Sequence, residues 1–195
     1  NGAMTNMATT TSPVPGVAGQ ALNFDKVNDA INCGSDASLD NLAAMTVSAW
    51  INPISMGESN IGMIAWKRGT SATAGWQLKM ITINKFNFYV DYTTTGIIRN
   101  APADSITLNN WQHVLVTWDG SSTAANVHFY VNGVETTYTS TTNGVGTRVD
   151  DSANDLHIGN SDGGANTFDG KIDEARIYNR VLSAAEITEL YNMGR

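Results

Sequence analysis

The strongest constraint on the fold of this chain is an apolar periodicity of two that begins at Ala21 and continues towards the C-terminus. Apolar and polar residues alternate in short runs, and Gly, Asn and Asp separate one run from the next. This pattern is typical of half-buried β-strands, and many short strands divided by turn residues indicate a sandwich or barrel. Strands do not alternate with helices, so a parallel α/β fold is not expected.

The alternation predicts eleven strands, which we expect to form two antiparallel sheets of roughly five to seven strands each. They cover residues 20–24, 30–33, 44–52, 61–67, 75–83, 85–92, 111–118, 126–132, 134–138, 155–159 and 171–178.

Two local signals refine this prediction. Asn132-Gly133 follows an alternating strand, and this pair favours a type I′ hairpin because both central residues need positive φ. Near the C-terminus, Ser183 and Glu186 have the spacing of a capping box, and Gly194 can end the helix that follows. We therefore expect one short helix that packs against the edge of the sandwich.

The segment before the first predicted strand has the composition of a linker. Residues 1–19 are rich in Thr, Pro and Gly, and the first three residues resemble the remnant of a tag. We therefore assign 1–19 to a tag remnant and linker and 20–195 to one domain, tethered to other domains of a longer chain.

Charge and composition exclude several classes of partner. The chain has 11 Lys and Arg against 18 Asp and Glu, a net charge of -7, which argues against nucleic acid and anionic membrane surfaces. No apolar run is long enough to span a bilayer, so membrane insertion is not expected. Cys33 is the only cysteine, and we interpret it as a small buried apolar residue.

The order of several motifs is similar to that of one known family. The motif segments are Ala21–Asp25, Met45–Pro53, Trp111–Asp119, Tyr130–Gly133, Phe168–Tyr178 and Leu182–Ile187. In this order they resemble the laminin-G-like, concanavalin A-like lectin and glucanase family. The resemblance implies an all-β jelly-roll sandwich of two antiparallel sheets with one short C-terminal helix. It also implies an extracellular or cell-surface protein, although the fold alone says little about the ligand.

Two carboxylates are candidate ligands for a structural calcium ion. Asp173 begins the row Asp173, Ala175, Ile177, and a carboxylate on a core face must be paired, hydrogen-bonded or bound to metal. Similar sandwiches often hold calcium between the last strand and the first, where Asp25 is the natural second carboxylate. The alternative is a salt bridge or a hydrogen bond to a turn. The acidic segment 150–155 lacks the spacing of an EF-hand, and we interpret it as a solvated turn.

Four aromatic residues could form a platform for a sugar. Trp66 and Trp76 flank the polar loop 67–73, and Tyr89 and Tyr92 lie on the next predicted strand or at its end. A pyranose has an apolar face that packs on aromatic rings and a rim of hydroxyls that amides and carboxylates bind. Burial in the core is the alternative for each aromatic residue.

No catalytic motif is present. The Glu-x-Asp-x-x-Glu strand of related endoglucanases is absent, because Lys171 stands where its first Glu would be. The three histidines lie on separate predicted strands, and we expect structural roles for them. We therefore expect a non-catalytic binding module, with a glycan or another cell-surface ligand as partner. The alternatives are a protein-interaction or spacer domain, and after that a polysaccharide lyase or hydrolase.

Overall fold

Two antiparallel sheets packed face to face, with one helix outside them, make up the computed structural model, which describes residues 2–8, 10–69 and 74–194. The strands are β1 (Ala3–Thr5), β2 (Pro13–Pro15), β3 (Gln20–Asp25), β4 (Ala30–Asn32), β5 (Met45–Pro53), β6 (Ile61–Arg68), β7 (Gly75–Ile81), β8 (Lys85–Val90), β9 (Ile97–Asn100), β10 (Gln112–Trp118), β11 (Val127–Val131), β12 (Val134–Glu135), β13 (Ser140–Thr142), β14 (His157–Ile158) and β15 (Asp169–Tyr178). The helix is α1 (Ala184–Met193), and within the described ranges no helix is long and apolar enough to cross a membrane.

The predicted sandwich is confirmed, with one sheet wider than expected. The eight-stranded sheet has the order β1-β4-β14-β6-β7-β8-β9-β13, and the seven-stranded sheet has the order β12-β11-β10-β5-β15-β3-β2. The additional strands are β1, β2, β9 and β13, each three or four residues long. Runs this short are too brief to show a period of two.

The core lies between the sheets and determines which side chains face outward. On β7 the core residues are Trp76, Leu78 and Met80, and on β8 they include Phe86 and Phe88. The ring of Phe86 packs against Phe129 of the opposite sheet with 4.7 Å between centroids. Because side chains alternate along a strand, the residues between these core positions point away from the core.

The two local predictions are also confirmed. Asn132 and Gly133 have φ of 52° and 77°, the positive values that the predicted hairpin turn needs. Ser183 and Glu186 form a complete capping box at the start of α1. Gly194 ends the helix with φ of -102°, and here the small residue is needed because a Cβ atom would lie 2.4 Å from Nε1 of Trp50.

The N-terminal segment differs from the predicted linker. β1 pairs with β4 in one sheet, and β2 pairs with β3 in the other. Met7 and Ser12 are buried, and the Ser12 carbonyl accepts a 2.8 Å hydrogen bond from the backbone N–H of Asn23. Backbone pairing at a sheet edge needs no apolar pattern, so composition did not reveal it. The division of the chain at residue 20 stays a prediction.

Candidate functional site

A row of side chains crosses the eight-stranded sheet on the side away from the core. Residues directly opposite each other in antiparallel strands share a face. The register pairs Asn32 with His157, His157 with Trp66, Trp66 with Gln77, Gln77 with Tyr89, and Tyr89 with Ile98. Two residues further along β7, a second row pairs Lys79 with Asn87 and Asn87 with Asn100. We call the surface formed by these nine residues the outer face.

Gln77 occupies the centre of the outer face. Its side chain is only 5% exposed and lies between Trp66 and Tyr89 on the two neighbouring strands. Among the described residues its side-chain amide has no hydrogen-bond partner. Nearly all buried polar groups in proteins are hydrogen-bonded, so an amide without a partner at this position is available to a ligand.

Lys79 is the second unusual residue of β7. It is half-buried, and within the described ranges its ammonium group forms no ion pair or hydrogen bond. Burial is the main cause that lowers the pKa of Lys79 to about 8, and the nearby positive charge of Arg68 contributes to this shift. Beside it, Nδ2 of Asn87 donates a 2.7 Å hydrogen bond to Oδ1 of Asn100. A cation and an amide pair therefore adjoin the unpartnered amide of Gln77.

Arg68, in contrast, is held by an acidic partner. Its guanidinium Nη2 donates a 2.8 Å hydrogen bond to Oδ1 of Asp91, and its Cζ lies 4.7 Å from the ring centroid of Tyr89. Gly75 is paired with Arg68 in the register and its carbonyl accepts a hydrogen bond from the Asp91 backbone. The charge of Arg68 is therefore compensated by Asp91.

The structure does not bring the four predicted aromatic residues together. Trp66 and Tyr89 lie on the outer face, but Trp66 is 6% exposed and its indole N–H donates to the Arg68 carbonyl. Trp76 is 1% exposed and packs in the core against Phe88, so it cannot present a ring to a sugar. Tyr92 also packs against the core cluster. The alternation of β7 explains this result, because Gln77 and not Trp76 is the outward neighbour of Trp66. Residues 70–73 of the predicted polar loop lie outside the described ranges.

A cleft of about 300 Å³ lies at the β4–β14 end of the outer face. Asn28, Asn32, His157 and Asp162 are among the residues that line it. The imidazole Nδ1 of His157 is buried and has no hydrogen-bond partner among the described residues. The cleft therefore extends the polar surface of the outer face by further amide and imidazole groups.

Asp25 and Asp173 do not fit a shared calcium ion. Asp25 is opposite Asp169 in the register, so Asp173 lies four residues further along β15, about 13 Å at the usual rise of a strand. Each carboxylate has its own partners: Asp25 Oδ1 accepts from the Val27 backbone, and Asp173 Oδ2 accepts from the Val17 backbone. Within the described ranges no three His, Cys, Asp or Glu side chains form a group that could hold a metal. The observed contacts of Asp173 are therefore hydrogen bonds from backbone N–H groups, which was the alternative to a metal site.

The acidic segment 150–155 contains the expected turn, but it is only partly solvated. Asp151 is fully buried, and its carboxylate accepts hydrogen bonds from the Asn41 backbone at 2.8 Å and from Arg148 Nη2 at 2.8 Å. Lys67, 0% exposed, donates to Asp40 and to the backbone carbonyls of Asp151 and Asn154 at 2.9–3.0 Å. This network joins two loops to strand β6. A run of turn-forming residues gave no sign that part of it would be buried.

Burial also governs the protonation of His113. The ring contacts both Trp50 and the helix residue Tyr191, with 5.5 Å and 6.3 Å between centroids. Burial, with a smaller contribution from the charge of Arg176, lowers the pKa of His113 to about 4. His113 is therefore a neutral packing residue on the opposite sheet from the outer face.

The family model of the concanavalin A-like lectin/glucanases superfamily matches residues 25–188. Together with the two-sheet fold, this match shows that the chain belongs to the concanavalin A-like lectin/glucanase superfamily. No curated protein sequence matches the chain.

Several solved structures share the fold. Domain 4 of AbnA, a GH43 extracellular arabinanase from Geobacillus stearothermophilus, in complex with arabinotriose, has a TM-score of 0.65 and 19% identity, over 97% of this chain and 87% of that one. The CBM40 of the Ruminococcus gnavus IT-sialidase has a TM-score of 0.67 and 14% identity, over 88% and 96%; it is also solved bound to α2,3 sialyllactose. The binding domain of Paraclostridial Mosquitocidal Protein 1 has a TM-score of 0.66 and 15% identity, and this chain spans 48% of it. At these identities the likeness is one of fold.

Proposed function

We propose that this chain is a non-catalytic module that binds carbohydrate on the outer face of its eight-stranded sheet. The observation that carries the proposal is the recessed amide of Gln77, which has no partner among the described residues and lies between Trp66 and Tyr89. Two of the structurally similar domains are solved with oligosaccharides, arabinotriose and sialyllactose, which supports a sugar as the ligand class.

The chemistry of the outer face suits a sugar. A side-chain amide can donate to one hydroxyl and accept from another, and the outer face carries the amides of Gln77, Asn87 and Asn100 in adjacent positions. Tyr89 remains partly exposed and offers apolar surface to the carbon face of a ring. Several adjacent hydrogen-bonding groups on rigid strands would fix the orientation of one saccharide unit without a large change in the protein.

A binding role agrees better with this surface than hydrolysis. Glycoside hydrolysis usually requires two carboxyl groups on either side of the scissile bond. None of the nine residues that define the outer face is acidic, and the nearby Asp91 is paired with Arg68. We propose that the module acts within an extracellular or surface protein, where it would hold a neighbouring domain near its target.

A glycan array followed by calorimetry tests the proposal. The wild-type chain is expected to bind a subset of the glycans, and Gln77→Ala should weaken the best of them by about tenfold or more, because a hydrogen-bonding group at the centre of the site is lost. Gln20→Ala is the matched control, because Gln20 is an exposed glutamine on the other sheet. If the folded wild type bound no glycan, or if Gln77→Ala bound as the wild type does, the proposal would be wrong.

A further inference from the structure

The charge of the outer face differs from the charge of the whole chain. The protein carries a net charge of -7, yet no carboxylate among the described residues pairs with the ammonium group of Lys79. The nearby cation Arg68 is compensated by Asp91. Asp155, near the cleft, accepts a 2.8 Å hydrogen bond from the amide of Asn32. The centre of the outer face therefore carries a positive charge without a counter-charge from the described residues.

The position of Lys79 makes this uncompensated charge costly. Lys79 lies on β7, which has four strands on one side of it in the sheet and three on the other, and its neighbours Asn87 and Met63 are buried. A half-buried cation loses part of its hydration, and the loss is usually offset by a carboxylate or by several hydrogen bonds. The described residues supply neither. A bound anion would supply both.

We propose that the glycan bound by the outer face is anionic, and that a carboxylate or sulfate group of the sugar pairs with Nζ of Lys79. The inference rests on the proposed function and adds a ligand class to it. Gln77 is the next residue on the same face of β7, two positions from Lys79, and Asn87 lies opposite Lys79 on β8. Both amides therefore adjoin the anionic group and can bind hydroxyls of the same sugar. A neutral glycan would leave the ammonium group desolvated and unpaired, which disfavours its binding.

An array that contains neutral and acidic oligosaccharides provides the first test. The neutral probes are arabinan, xylan, cellulose and galactan oligosaccharides, and the acidic probes are oligogalacturonate, hyaluronan, sialyllactose and sulfated chondroitin oligosaccharides. The wild type is expected to bind acidic probes in preference, and its affinity should fall as salt is raised. Hyaluronan against sulfated chondroitin, and the desulfated form of any sulfated probe that binds, distinguish a carboxylate from a sulfate.

Two lysine variants provide the second test, by calorimetry on the best acidic probe. Lys79→Met keeps the length of the side chain and removes the charge, and it should weaken binding by about ten- to a hundredfold, as is typical for loss of a hydrogen bond to a charged group. Lys171→Met is the control. It changes the net charge equally, on an outward position of the other sheet, and it should bind as the wild type does.

The outcomes separate this inference from the proposed function. If the wild type preferred neutral glycans and this binding depended on Gln77, the inference of an anionic ligand would be wrong. The proposed glycan-binding function would still hold. The same holds if Lys79→Met, folded by circular dichroism, bound the acidic probe as tightly as the wild type. If the folded wild type bound neither neutral nor acidic glycans, both proposals would be overturned. An acidic preference that Lys79→Met abolishes and Lys171→Met retains would support both.

Discussion

Asp173 on β15 accepts a 2.7 Å hydrogen bond from the backbone N–H of Val17, which lies 156 residues earlier in the chain. The same oxygen accepts from Ala18 at 3.0 Å, and the other carboxylate oxygen accepts from the backbone N–H of Glu174 at 2.8 Å. Asp173 is 6% exposed, so these donors replace the water that the carboxylate loses. The carboxylate therefore attaches the N-terminal segment to the last long strand.

This relationship predicts the effect of Asp173→Ala. Removal of the carboxylate leaves the partly buried N–H groups of Val17, Ala18 and Glu174 without their acceptor, and we expect a loss of roughly 2–4 kcal/mol in the free energy of unfolding. Because the donors are backbone amides, the loss should be the same in calcium and in chelator. Thermal melting in both conditions measures it. A loss seen only in calcium would restore the metal interpretation. Asp162→Ala, at an exposed loop residue, is the control and should change stability by less than about 0.5 kcal/mol.

Deletion of residues 1–16 is expected to destabilise the domain. The deletion removes β1, β2 and the buried side chains of Met7 and Ser12. It also exposes the sheet edges formed by β4 and β3. A loss of about 3 kcal/mol would lower the melting temperature by about 6–12 °C in a chain of this size. If the truncated chain melted at the wild-type temperature, the linker assignment would be correct despite the strand pairing.

Lys67 offers a prediction about the loop network. Its ammonium group is fully buried, and its three partners belong to segments that contain Asp40, Asp151 and Asn154. Lys67→Met should cost about 3–5 kcal/mol, because it leaves the buried carboxylate of Asp151 without one of its cations and two carbonyls without a donor. Chemical denaturation gives the free energy. Lys85→Met, at a partly exposed lysine of β8, is the control and should change little.

Local rules predicted much of this fold from the sequence. The Asn132-Gly133 turn depends only on which residues tolerate positive φ, and the Ser183/Glu186 cap depends only on spacing along one helix turn. The period of two found the longer strands for the same reason. Each of these signals is contained within a few neighbouring residues. It can therefore be recognised without knowing which strands pair in the fold.

The candidate site could not be predicted in the same way because it depends on register. Trp66 and Trp76 are close in sequence and aromatic, but pairing places Gln77 opposite Trp66 and turns Trp76 into the core. Asp25 and Asp173 do lie on paired strands, yet the register separates them by four residues. The alternation of the predicted strand 75–83 would have put Gln77 and Lys79 on one face. The sequence of this strand could not show which of its faces points away from the core. It also could not show that Gln77 and Lys79 lack partners among the described residues, because both facts depend on how the other strands pack.

The last prediction is that Lys79 lowers the stability of the folded protein. Its ammonium group is desolvated and lacks a partner among the described residues, so Lys79→Met should raise the melting temperature at pH 7 while it weakens binding. The pKa of Lys79 is lowered from the ordinary 10.5 to about 8 in the fold, so between these values the unfolded chain binds more protons than the folded one. Stability attributable to this residue therefore rises with pH across that window, and the penalty is fully present below about pH 8.

Melting curves of the wild type, Lys79→Met and Lys171→Met at pH 7 and pH 10 measure this effect. The charged and titratable groups around Lys79 are Arg68 with its partner Asp91, Lys85 on β8, the Tyr89 phenol and His157, and all of them are present in the three proteins. The advantage of Lys79→Met over the wild type should accordingly shrink at pH 10, whereas the small difference for Lys171→Met should not change in this way. An equal advantage at both pH values would show that Lys79 is hydrated in the fold. A lower melting temperature for Lys79→Met at pH 7 would show that its charge has a stabilising partner, and the outer face would then lack the uncompensated cation on which an anionic ligand depends.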